Sequence, residues 1–155
     1  MHSIFQLSAK PISEGDFLSP EHLYDRSNDF ADYIGDKYEG EKRTDKIKGI
    51  AAEFPDIFDI DGEVLIYKGL GNFLKEWAEK IQEIAKDLTE ENILKDANLY
   101  RMKCITERTH LDTYSRFYVE GWNNYAGDCA DFICWLSTLE VGTRIYVGSV
   151  INYHF

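Results

Sequence analysis

Cysteine, proline and long apolar runs are all scarce in this chain. Its three cysteines, Cys104, Cys129 and Cys134, stand well apart. An odd number at such spacing is no disulfide framework, and no pair has the spacing of a zinc knuckle. On a helix, Cys129 and Cys134 would point about 140° apart and could not meet on one ion. With only three prolines there is no proline-rich linker, and no internal repeat or low-complexity tract is present. No stretch approaches the roughly 18 apolar residues of a membrane span. No basic start leads into an apolar run, so no secretory leader is read. These absences predict a soluble, cytoplasmic protein with reduced thiols and no membrane contact.

Motifs that carry chemistry are missing as well. Gly69-Leu70-Gly71-Asn72 joins an extended segment to a helix, where phosphate loops occur. A dinucleotide fingerprint needs another glycine where Leu74 stands, and the Gly-Lys-Ser/Thr of a P-loop is absent. A tight turn explains the glycines more simply. Setting Gly62 at the glycine position of a calcium loop places Asp59 and Asp61 correctly. It also puts Ile57 and Lys68 where two essential oxygen ligands belong. The histidines, at 2, 22, 110 and 154, are scattered. No catalytic residue, metal or cofactor is assigned on this reading.

Negative charge and aromatic side chains are abundant. The chain of 155 residues carries a net charge of −11, with ten tyrosines and nine phenylalanines. A domain this long buries roughly 70% of its unfolded surface and needs no staple. The charge is uneven: residues 1–99 hold 22 acids against 12 bases, and residues 14–41 alone hold nine acids against Arg26 and Lys37. Such a field repels nucleic acid and anionic membrane and attracts basic surfaces.

Hydrophobic periodicity and turn signals outline the elements. Residues 1–8 read as an opening strand. Ser19-Pro20-Glu21 starts a helix across 21–38, on which Asp25, Asp29, Asp32 and Asp36 fall in one line. Thr44 caps a second helix up to Pro55. A hairpin turns at Asp61-Gly62. A helix at 72–88 buries Phe73, Leu74, Trp77, Ile81, Ile84, Ala85 and Leu88. Residues 99–108 and 114–121 read as a hairpin, Asp128 caps a helix at 129–139, and residues 143–155 alternate as a long strand. The fold class is α+β, a single domain over 1–155. N-terminal helices pack on a mostly antiparallel sheet built largely from the C-terminal half. The acidic helical part covers about 14–97 and a hairpin–helix–strand part about 98–155.

Two functional classes follow. The first is a non-enzymatic acidic binding protein that occupies a basic surface of a protein partner, as an inhibitor, immunity or anti-defence protein does. The partner could itself bind nucleic acid, with this chain as a nucleic-acid mimic. Its contact residues would be Asp25, Asp29, Asp32 and Asp36, with Tyr24, Tyr33 and Tyr38 as aromatic anchors. The alternative is a small hydrolase or transferase with a site near His110, Asp112 and Glu120, since a histidine held by a carboxylate is the raw material of general base chemistry. A chain that pairs with its own copies through its last strand is a third possibility.

Overall fold

Residues 144–154 carry the sheet. The computed structural model describes residues 2–24, 31–107, 115–123 and 125–154. Among these, six strands form one sheet: β1 (His2–Ser8), β2 (Tyr33–Lys37), β3 (Phe58–Asp61), β4 (Val64–Tyr67), β5 (Arg116–Val119) and β6 (Arg144–His154). Five helices accompany them: α1 (Pro20–Tyr24), α2 (Gly40–Glu53), α3 (Phe73–Lys86), α4 (Asp96–Glu107) and α5 (Cys129–Leu136). The strand order is β3-β4-β6-β1-β5. β2 shares the edge of β6 that β4 uses, pairing near His154 while β4 pairs near Arg144. Every pairing is antiparallel except β1 with β5. The chain is thus a single α+β domain with a mostly antiparallel sheet, and its C-terminal strand is central. No helix among the described residues is long and apolar enough to cross a membrane.

Both faces of the sheet are covered. On one, Phe5, Leu7, Leu65, Phe117, Val119 and Ile145 meet the apolar sides of α2 and α5. Phe132 of α5 stacks on Phe117, with centroids 4.0 Å apart and planes inclined by 9°. Full burial of each such side chain contributes roughly 1.5–3 kcal/mol. On the other face a smaller cluster of Ile4, Ile34, Ile151 and Tyr153 is closed by Leu23 of α1 and by Ala126.

A bulge lets β6 serve both clusters. Leu7 lies opposite Val147, yet Phe5 lies opposite Val150, so β6 carries one extra residue at Gly148-Ser149. Ile145 and Val147 therefore face α2 and α5, whereas Ile151 and Tyr153 face α1. The expected single apolar face running from Ile145 to Tyr153 is not formed, because the bulge reverses the alternation half-way.

Two polar side chains hold the bulge. Gln6 is 1% exposed and uses its whole amide. Its Oε1 accepts from the Leu18 N–H at 2.9 Å and the Ser149 N–H at 3.0 Å. Its Nε2 donates to the Asp16 carbonyl at 2.9 Å and to a Glu120 carboxylate oxygen at 2.7 Å. Glycine at 148 gives this amide its space, since a Cβ there would lie 2.4 Å from Gln6 Oε1. Arg43 of α2 donates to the carbonyls of Val147, at 2.7 Å, and Gly148, at 2.9 Å, and pairs with Glu63.

Several elements differ from the sequence expectation. The expected helix does not run through to 38: the described residues place α1 at Pro20–Tyr24 and strand β2 at Tyr33–Lys37. Gly35 would cost such a helix about 1 kcal/mol, while β6 offers backbone partners instead. The Asp32 N–H donates to the His154 carbonyl at 2.9 Å and the Tyr38 N–H to Val150 at 2.8 Å. The first arm of the expected 99–121 hairpin is helix α4, in keeping with the helix formers Leu99, Arg101, Met102 and Lys103. Helix α3 forms where expected, but of its apolar stripe only Ile84 is buried. Phe73, Trp77, Ile81 and Leu88 are half-buried, and Leu74 and Ala85 are exposed. The reason is placement: α3 packs chiefly on α4, not on the sheet.

Candidate functional site

A cleft of about 760 Å³ opens between the C-terminal end of α2 and one side of α3, from Phe73 to Glu83. Its first wall is the Glu53-Phe54-Pro55-Asp56-Ile57 corner. Pro55 cannot continue α2, so the chain turns. The N–H groups of Ile57 and Phe58 both reach the Phe54 carbonyl, at 3.0 Å each. Lys68 fastens the corner from outside, donating to the Pro55 carbonyl at 2.8 Å. The second wall is α3, which contributes Glu76, Glu79, Lys80 and Glu83. The floor is apolar. Phe54 and Ile57 are buried, and half-buried Leu70 and Phe73 pack on the main core beside them.

Carboxylates dominate the rim. Glu53 and Asp56 stand on one wall and Glu76, Glu79 and Glu83 on the other, with Lys80 the one base among the lining residues. Glu79 approaches Lys75 at 3.9 Å along the exposed helix, a contact worth a few tenths of a kcal/mol at most. Glu53, Asp56, Glu76 and Glu83 form no salt bridge with another described residue. Burial at the cleft raises the Glu53 carboxyl above its ordinary value, against the opposing pull of Lys46. The neighbouring acids of the hairpin are instead neutralised. Asp59 pairs with Lys68 at 3.2 Å, Asp61 with Arg144 at 2.9 Å, and Glu63 with Arg43.

The residues expected to bind a partner are placed as follows. Asp32 precedes β2, Tyr33 and Asp36 lie on it, and all three side chains are exposed, Tyr33 by 54%. They stand beside and on a strand, so Asp32 and Asp36 do not share a helical face. Asp25 and Asp29 lie outside the described residues, as does the side chain of Tyr24. Tyr38 is half-buried with its ring packed against the main core. Burial raises its phenol above the ordinary value. Of the alternative site, His110 and Asp112 lie outside the described residues. Glu120 holds Gln6 and does not line the cleft.

The acids of α3 read in sequence as an ordinary solvated face. What makes them part of a cleft is the distant corner at 53–57, brought opposite by the intervening β3–β4 hairpin. No local pattern announces that. Among the described residues no group of three histidine, cysteine or acidic side chains could hold a metal ion. The cleft combines diffuse negative charge with an apolar floor, which suits a cationic, partly apolar ligand. The chain matches no protein-family profile, no curated protein and no solved structure.

Proposed function

We propose that this chain is a non-enzymatic acidic binding protein that occupies a basic surface of a protein partner, in the manner of an inhibitor, immunity or anti-defence protein. The observation that supports it most is the concentration of five carboxylates, four of them without a salt bridge to a described residue, around an apolar-floored cleft, on a chain of net charge −11. Long-range negative potential speeds the encounter with a basic surface and repels nucleic acid and anionic membrane. A nucleic-acid-binding protein is one partner of the right sign. Asp32, Tyr33 and Asp36 at β2 are a second exposed contact of the same character.

The test is capture from source-cell extract on the immobilised chain, followed by identification of the bound protein and titration of its affinity with salt. The expected result is a partner with a basic contact surface, whose binding weakens steadily as salt rises. A partner of neutral or acidic surface, or an affinity indifferent to salt, would refute the proposal.

A further inference from the structure

We infer that the cleft between the 53–57 corner and α3 is the docking groove for a basic peptide segment of the partner, one that carries a large apolar side chain flanked by lysine or arginine. This inference rests on the function proposed above and names the place and the chemistry of the contact. Three features of the cleft define the occupant. Its volume, about 760 Å³, lies within the range of sites that enclose several side-chain groups, not one ion. Its floor, Phe54, Ile57, Leu70 and Phe73, offers an apolar guest the burial that water denies it. Its two walls carry five acids against the one base Lys80, so cations are favoured on both flanks of that guest.

The spacing supports a segment over a small cation. Glu76 and Glu83 are seven residues apart on one helix, about 10.5 Å along its axis. Both lie on the same flank of α3, within about 20° of each other. The apolar stripe of Phe73 and Trp77 begins beside them and is only half covered. A guest that meets both acids while seating an apolar group on the floor must itself be extended over that distance. Glu53 and Asp56 then take the cations on its other flank.

The experiment is calorimetric titration of the full chain with a short synthetic peptide alternating lysine and leucine. Serine replaces each leucine in a second peptide of equal charge, and spermine serves as a small polycation. The first peptide is expected to bind about tenfold or more tightly than either of the others. Replacing Glu76 and Glu83 by glutamine is expected to weaken it at least about fivefold. The same double change at Glu90 and Glu91, in the turn after α3, removes equal charge and is expected to alter affinity less than about twofold. Helical circular dichroism, unchanged in both variants, excludes misfolding. Equal binding of the serine peptide or spermine would overturn the apolar anchor and with it the inference. Equal weakening by both variant pairs would overturn the groove while leaving the acidic-binder proposal intact. Absence of any salt-dependent binding to basic peptides would defeat both.

Discussion

Replacing Gln6 with leucine removes one side chain that ties β1 to three other segments. The amide joins β1 to the loop before α1 through Asp16 and Leu18, to the end of β5 through Glu120, and to the β6 bulge through Ser149. Leucine fills a similar volume, so the cost is chiefly that of the partners left behind. The Ser149 N–H is buried, since that residue is 2% exposed, and an unsatisfied buried donor costs about 1–3 kcal/mol. Half-buried Leu18 adds about 1 kcal/mol. Asp16 and Glu120 are exposed and turn to water at little cost. The sum is about 2–4 kcal/mol, a large share of the 5–15 kcal/mol typical of a domain. For a chain of this length it lowers Tm by roughly 5–15 °C. Urea unfolding followed by tryptophan fluorescence should show a lower midpoint at unchanged slope. A Gln6→Leu variant within about 0.5 kcal/mol of the parent would refute the claim that this amide holds the bulge.

Gly148→Ala is expected to destabilise strongly, because its Cβ would sit 2.4 Å from the buried Gln6 amide. The same change in a Gln6→Ala background should cost far less, and additive free energies in that double-mutant cycle would contradict the contact. Arg43→Lys keeps the charge but cannot reach Glu63 and the Val147 and Gly148 carbonyls together. It should cost about 1–3 kcal/mol in chemical denaturation. Burial raises the Glu53 carboxyl, so the folded chain holds that proton more firmly than the unfolded one. Stability is then lost as pH climbs from the ordinary glutamate value through the raised one. Glu53→Gln should therefore stabilise the protein above that window and leave it unchanged below. A gain of equal size at acid pH would contradict the assignment.

Elements written by local signals were legible in the sequence. Asp128 caps α5 as expected, its carboxylate accepting from the Asp131 N–H at 3.0 Å. Gly62, at φ +64°, makes the turn between β3 and β4. The opening strand, α3 and the long closing strand stand within one or two residues of where periodicity puts them. Elements decided by distant partners were not. β2 is five residues long and exists because the far end of β6 pairs with it. Spacing alone made those residues a helix, and with them the aspartate line. In α4 the β-branched Ile105-Thr106 and the aromatic Tyr100 suggest extended structure, while the neighbouring helix formers outweigh them. The bulge at Gly148-Ser149 is invisible without Gln6, 143 residues away in sequence. The candidate site divides in the same way: its negative sign could be read from composition, whereas the cleft depends on which segments the hairpin brings face to face.

The central claim is that recognition of basic sequence is local to the cleft and is not a property of overall charge. Amide chemical-shift mapping of the isotope-labelled chain, titrated with the lysine–leucine peptide at moderate salt, tests it most directly. The predicted result is saturable shifts gathered at residues 53–57 and 70–83. Weak shifts spread over every acidic segment, Glu14 to Glu140 alike, would contradict it.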